Sequence, residues 1–189
     1  MKIGLFFGSF NPMHLAHKTI ATHILKITDI TQIWIIVSPQ NPFKKNTNLI
    51  PANHRIMIAK KMLSDIDNIL ISEIELDMPT PSYTFNTLEC LEKKYPDHEF
   101  SLIIGEDNGV SLNKWYRISD IMDKYKIYIF PRNGYGKNYK HKNIKIVEDF
   151  SKIEISATCI RENIKKGKNM SHLMNKKSWQ YIVEQNLYN

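Results

Sequence analysis

Ile3-Gly4-Leu5-Phe6-Phe7-Gly8-Ser9-Phe10-Asn11-Pro12-Met13-His14-Leu15-Ala16-His17 changes character twice within a short span. Ile3 to Phe7 is a continuous apolar run and reads as a buried strand. Gly8 to Pro12 is a turn. Leu15, Ile20, Ile24 and Leu25 then recur at helical spacing, predicting a helix from about His14 to Ile27. The alternation continues down the chain. Ile33 to Val37 is a second solid strand, followed by a polar loop with Pro39, Pro42 and Pro51 and a helix carrying Ile56, Ile58, Ala59 and Met62. Ile69 to Ile71 reads as a third strand, and Ser82 to Thr87 opens a helix with Leu88 and Leu91. Phe100 to Ile104 and Ile127 to Phe130 are strands separated by a helical stretch around Leu112 to Met122. Ile144 to Val147 fits a sixth strand, and Thr158 to Lys165 and Ser178 to Gln185 fit two final helices.

Strands that are apolar throughout, alternating with helices, specify an α/β fold: a doubly wound, mainly parallel sheet with helices on both faces. No linker divides the chain, so the expectation is a single domain over residues 1–189, with a C-terminal helical segment at about 156–189 packed on it. The polar, basic stretch Asn133 to Asn143 reads as an exposed excursion. Sites in such sheets form beyond the carboxyl ends of the strands. Chemistry is therefore expected just after Phe7, Val37, Ile104 and Phe130.

The 189 residues are 42% hydrophobic and 24% charged, which excludes a disordered tail, a collagen-like rod and a disulfide-framed mini-protein. Cys90 and Cys159 are the only cysteines and lie far apart, favouring a reducing, cytoplasmic setting. No apolar run reaches the roughly 18 residues of a membrane span. The amino-terminal apolar run ends in a turn without a small-residue cleavage signature, so it reads as a strand rather than a signal peptide. Lys and Arg total 26 against 19 Asp and Glu, a net charge of +7. That favours anionic partners without choosing between nucleic acid, phosphorylated metabolites and nothing specific. Much of the excess is Lys scattered among Asn, as a solvated surface would have it.

Four segments hold candidate chemistry. Gly8 and Ser9 end the first strand, where a phosphate can approach backbone N–H groups at the next helix start. This is not a G-x-G-x-x-G fingerprint. His14 and His17, three apart near that helix start, suit hydrogen bonding to a phosphoryl group; they also read as ordinary surface histidines, and a metal site lacks a third ligand in the stretch. Ser38 to Lys45 follows the second strand, where Lys44 or Lys45 suits a polyphosphate or simply a surface loop. Thr80 to Thr87 reads as a helix entry with competing caps at Ser82 and Thr84. Asp107 follows a strand end and suits a ribose hydroxyl; Trp115 suits ring stacking or the core. In Ile155 to Arg161, Ser156 or Thr158 caps a helix whose first turn carries Arg161, an anion site or a plain capped helix. Glu162 is expected to face away.

These segments together resemble bacterial nicotinate-nucleotide adenylyltransferases, of the nucleotidyltransferase superfamily with an H-x-G-H signature. Gly8 to His17 is similar to G-[GS]-[TS]-F-[DN]-P-x-H-x-G-H, and Asn41-Pro42-Phe43-Lys44 to a P-P-H-K loop. Pro81-Ser82-Tyr83-Thr84-Phe85-Asn86-Thr87-Leu88 resembles P-S-Y-T-x-D-T-L, which separates this family from its relatives. Gly105-Glu106-Asp107 with Trp115 matches G-x-D followed by tryptophan, and Ile155 to Arg161 resembles I-S-S-T-x-I-R.

The resemblance implies a Rossmann-like nucleotidyltransferase fold and transfer of AMP from ATP to nicotinate mononucleotide, giving deamido-NAD and pyrophosphate, with Mg2+ carried on ATP. It implies catalytic roles for His14, His17, Lys44 and Arg161. ATP would also meet Gly8, Ser9, Phe10, Gly105, Asp107, Ser156 and Thr158. The mononucleotide would meet Asn11, Tyr83, Thr84 and Trp115, and the protein itself would hold no metal. Ala16, Phe43, Asn86 and Ala157 depart from the family pattern, and none is a residue assigned to the chemistry. Neither a nucleic acid nor a membrane partner is implied, and monomer and homodimer both stay open. The competing readings are an adenylyltransferase for nicotinamide mononucleotide or another phosphate acceptor, and a non-enzymatic basic nucleic-acid-binding domain.

Overall fold

The computed structural model describes residues 1–40, 48–131, 139–147 and 155–189. In chain order it contains β1 (Lys2–Gly8), α1 (Leu15–Ile27), β2 (Gln32–Val37), α2 (Ala52–Met62), β3 (Ile69–Ser72) and α3 (Thr84–Lys94). It continues with β4 (Glu99–Gly105), α4 (Glu106–Gly109), α5 (Ile118–Lys124), β5 (Lys126–Phe130), β6 (Ile144–Ile146), α6 (Ala157–Lys165) and α7 (Lys176–Glu184). The strands form one sheet in the order β3-β2-β1-β4-β5-β6, and each neighbouring pair is parallel. The order reverses between β1 and β4, which opens a crevice at their carboxyl ends.

Side chains on a strand alternate between faces, and two separate cores follow from that period. Ile33, Ile35 and Val37 of β2, with Phe6, Ile103 and Tyr128, meet α1, α2, α6 and α7 on one face. Trp34 and Ile36, with Leu5, Leu102, Ile104 and Ile127, meet α3 and α5 on the other. Each such buried aliphatic side chain stabilises the fold by roughly 1.5–3 kcal/mol. This double burial is the physical reason the strands read as unbroken apolar runs rather than alternating ones.

The stretch Leu112 to Met122 is not one helix. A 3-10 turn at Leu112–Lys114 is followed by Trp115 and Tyr116, and only then by α5. Arg117 stands between them in the left-handed region at φ 52°, a conformation costing roughly 1–2 kcal/mol for a residue with a Cβ. Its Nε donates to Asp120 Oδ2 at 2.6 Å, and its guanidinium lies 4.0 Å from the Phe85 ring centroid. Those contacts hold the break in place. Residues 133–138 of the expected excursion after β5 lie outside the described residues; of the rest, Tyr139 is half-buried against Gly109, where an added Cβ would come within 2.5 Å of its hydroxyl.

At the C-terminus, α7 is tied to α2. Asn175 caps α7 by accepting from Ser178 N at 2.9 Å, its Nδ2 donates to Lys61 O at 2.7 Å, and Ser178 Oγ donates to Ile58 O at 3.1 Å. Among the described residues no helix is long and apolar enough to cross a membrane.

Candidate active site

The crevice at the β1/β4 switch point holds a cavity of 410 Å³, within the roughly 300–1,000 Å³ of small-molecule sites. Gly8, Ser9, Phe10, Asn11, His14 and His17 line it from the β1–α1 connection. Gly105, Asp107 and Asn108 line it from the end of β4. Ser156, Ala157, Thr158 and Arg161 close it from α6.

The β1–α1 connection is built tightly. Phe10 takes φ 44°, left-handed for a residue with a Cβ, and its ring is buried edge-on to Phe6 and His17, at 5.6 and 5.0 Å between centroids. That ring lies over Gly8, where an added Cβ would come within 2.9 Å of it; Gly8 is thus required by a close approach. His14 is the N-cap residue of α1, and His17 Nδ1 accepts from the His14 backbone N–H at 3.3 Å. This is the return half of a capping box with imidazole in place of a carboxylate. The bond leaves Nε2 as the N–H of a neutral His17 ring. The two rings stack at 3.8 Å between centroids and 30° between planes, with His14 only 1% exposed.

On α6, Ser156 rather than Thr158 is the cap, accepting from Cys159 N at 3.1 Å. Arg161 falls one residue past the first turn and folds back over it. Its Nη1 donates to Asn11 O at 2.6 Å and its Nη2 to Thr158 Oγ1 at 3.2 Å. Asn11 in turn donates from Nδ2 to Asn48 O at 2.8 Å. Glu162 is exposed and does not line the cavity. Neither α1 nor α6 carries an acidic residue in its first turn. Two positive helix ends without an acidic residue in their first turns therefore abut one cavity, across from Asp107, an arrangement that attracts an anion.

Tyr83, Thr84 and Trp115 do not line this cavity. The N-cap of α3 is Tyr83, without a side-chain cap bond, so neither Ser82 nor Thr84 caps it. Tyr83 packs against Tyr116 at 5.3 Å between centroids, and Trp115 is half-buried at the second core. Lys44, with the rest of residues 41–47, lies outside the described residues. Among the described residues no group of three or more His, Cys, Asp or Glu is placed to hold a metal ion.

Two buried charges escaped the reading of motifs. Arg55, on α2, is 1% exposed and pairs with backbone carbonyls instead of a carboxylate. Its signal was available, because Arg55 lies on the same stripe as Ile58, Ala59 and Met62. Glu75, between β3 and α3, is equally buried and accepts from Thr87 Oγ1 at 2.8 Å. Burial pushes its carboxyl above the usual range, while the Thr87, Ser38 and Ser82 hydroxyls pull it back. Nothing in Ile74-Glu75-Leu76-Asp77 announces that.

Known proteins similar to this chain are numerous. The cytidylyltransferase-like family matches residues 5–163. A Flavobacterium johnsoniae protein named "Probable nicotinate-nucleotide adenylyltransferase" is 43% identical over 192 aligned positions, covering 100% of this chain and 99% of its own. One of the same name from Bacteroides thetaiotaomicron is 34% identical over 97% of this chain and 92% of its own. The fold is shared with the Plasmodium falciparum nicotinic acid mononucleotide adenylyltransferase solved with NaAD, at a TM-score of 0.83 and 18% identity over 99% of this chain and 97% of that one. Similarity that runs the full length of both chains, rather than over one motif, places this chain in the nicotinate-nucleotide adenylyltransferase family.

Proposed function

We infer that the protein transfers AMP from ATP to nicotinate mononucleotide, releasing pyrophosphate and forming deamido-NAD. The observation that carries this is the cavity at the switch point, where two acid-free helix starts, the stacked His14 and His17 and the folded-back Arg161 converge. A nonspecific anion site needs none of that positioning.

The 5′-phosphate of the mononucleotide attacks the α-phosphorus of Mg-ATP in line. One P–O bond forms to the acceptor oxygen, and the bond from the α-phosphorus to the bridging oxygen breaks, its electrons leaving with pyrophosphate. The nucleophile is already ionised at neutral pH, so no general base is required. The work of the protein is to hold two anions together and to stabilise charge on the equatorial oxygens. His17 Nε2–H, fixed by the bond its Nδ1 accepts, donates there, and His14 stacks beside it. Arg161 and Thr158, with the amino end of α6, hold the leaving phosphates, and Lys44 adds a further cation. Asp107 lies at the ribose. Mg2+ arrives on the triphosphate as part of the substrate.

Asn11, Tyr83, Thr84 and Trp115 receive the mononucleotide, with Trp115 against the pyridine ring. A nicotinate carboxylate accepts charge-assisted hydrogen bonds and donates none, so a site of N–H donors prefers it to the carboxamide. Both cysteines are unpaired, in keeping with work in the cytoplasm, where such thiols stay reduced. Pyrophosphate release measured with ATP and each mononucleotide tests the reading. Release with nicotinate mononucleotide well above that with nicotinamide mononucleotide is expected; equal kcat/KM values would reject the acceptor preference, and no release with either would reject the activity.

A further inference from the structure

We propose that Arg55 is a positioning residue for this reaction, which without touching substrate clamps the exits of β1 and β2 and so sets the backbone that lines the nucleotide cavity. The proposal rests on the adenylyl-transfer reading above. Parallel strands hold each other in register only as far as their hydrogen-bond ladder runs. Between β1 and β2 the ladder ends at Gly8 and Val37, with Ser38 N donating to Gly8 O at 3.0 Å as the last rung. Beyond that rung the two chains part, yet Ser9, Phe10 and Asn11, which line the cavity, lie in this unladdered stretch. Arg55 takes over where the ladder stops. Its Nη1 donates to Ser9 O at 2.7 Å and to Ser38 O at 2.8 Å, bridging the two exits directly. Its Nε donates to Ile50 O at 3.0 Å, which fixes the entry into α2 to the same group. A planar guanidinium reaches three separate segments at once, which an ammonium on a flexible stem does not reproduce.

The bond to Ser9 O has a consequence one atom further on. The peptide group is planar and trans, so a carbonyl turned toward Arg55 turns the following N–H the opposite way. That N–H belongs to Phe10, which lines the cavity and whose N–H has no hydrogen-bond partner among the described residues. Arg55 thereby presents the Phe10 amide as a fixed donor for a phosphate oxygen. Among the described residues the buried guanidinium has no carboxylate partner, and desolvation lowers its pKa from the ordinary value. Arginine nevertheless stays charged.

The test is steady-state kinetics of Arg55→Lys and Arg55→Gln, per folded molecule, in the intact chain with Mg-ATP and nicotinate mononucleotide. Both variants are expected to lose about 10- to 100-fold in kcat, as a misplaced reacting group does, with KM for the mononucleotide little changed. A folded Arg55→Lys protein with parental kcat would overturn the proposal, since charge alone would then suffice. Should neither variant fold, amide hydrogen exchange on the unaltered protein decides. Saturating α,β-methylene-ATP with Mg2+ should slow exchange at Phe10 by about tenfold or more, and an unchanged Phe10 rate counts against the orientation. The parent measured alongside separates the two claims. A parent that releases no pyrophosphate rejects the functional reading, whereas an active parent matched by Arg55→Lys rejects Arg55 alone.

Discussion

The histidine end of the site and the aromatic segment around Tyr83 and Trp115 are built in opposite ways. At the histidine end, Asn11 and His14 are 7% and 1% exposed, and backbone, imidazole and guanidinium are joined by directional hydrogen bonds. Around Tyr83 the contacts are ring against ring, and Tyr83 and Tyr116 remain 37% and 51% exposed. Stabilising charge that develops during a reaction requires donors already in place, because reorganising them costs part of what they gain. Holding a planar ring requires only area, and stacking tolerates a range of offsets. One region is therefore fixed by directional hydrogen bonds, while the other is ring-on-ring packing that stays partly exposed.

The largest effect that would test this contrast is at His17. Loss of one donor aimed at developing charge costs about 3 kcal/mol, roughly a hundredfold in rate. His17→Ala, and likewise His14→Ala, should lower kcat by that order while KM for ATP moves little. If single-turnover measurements showed unchanged chemistry and only weaker ATP binding, the histidine end would be a ground-state anchor and the contrast would fail.

Glu75 connects the two regions, since it lies under the start of α3 and close to Ser38 at the end of β2. Glu75→Ala leaves the Thr87 hydroxyl only its longer bond to Tyr83 O at 3.4 Å and should cost about 1 kcal/mol of stability. Glu75→Gln keeps that acceptor and isolates the charge. Burial raises the folded-state pKa above the ordinary 4.5. Through the window from that value up to the raised one, the folded chain keeps a proton the unfolded chain has released. Stability therefore falls as pH rises through the window, and the ionised carboxylate costs stability above it. Tm of Glu75→Gln minus Tm of the parent should grow between pH 5 and pH 8. A difference that stays flat would mean the carboxylate is not isolated from water.

Trp115→Ala should act on the acceptor alone. Losing one stacking face costs about 1 kcal/mol, a several-fold rise in KM. The rise should be alike for nicotinate and nicotinamide mononucleotide, because both offer the same ring. A change in the ratio of their kcat/KM values would mean that Trp115 reads the exocyclic group and is more than a platform. The smallest effect is expected at the exposed cap of α6, where Ser156→Ala should lower stability by about 1 kcal/mol. Thermal denaturation measures it, and no loss of stability would show that the bond from Cys159 N to Ser156 Oγ does not hold the α6 end.

The reading from residues alone followed the physics of periodicity where periodicity was strong. β1, β2, β4 and β5 begin and end within a residue or two of their apolar runs, because burial on both faces selects apolar side chains at nearly every position between the strand ends. Leu112 to Met122 went astray because its apolar spacing continues across Arg117, whose left-handed backbone depends on contacts with Asp120 and Phe85. The entry to α3 went astray for a related reason. Ser82 and Thr84 have the chemistry of caps, but Ser82 is buried near Glu75 and Tyr83 takes the cap position.

Composition and the spacing of apolar residues determined the doubly wound α/β architecture, and the phosphate-suited motifs at Gly8 to His17 and Ile155 to Arg161 were legible because each is local. Both are a short run of chain whose backbone begins a helix, and a helix start makes an anion site wherever it stands. The convergence of those two runs is not local. It depends on the sheet order that sets β1 beside β4 and on α6 returning some 150 positions later to place Arg161 against Asn11. The tautomer of His17, the left-handed Phe10 under its ring cluster, and the buried Arg55 and Glu75 belong to the same class. Each is set by partners far away in the chain, and a hydrogen bond to a distant carbonyl leaves no periodic trace in the residues that make it.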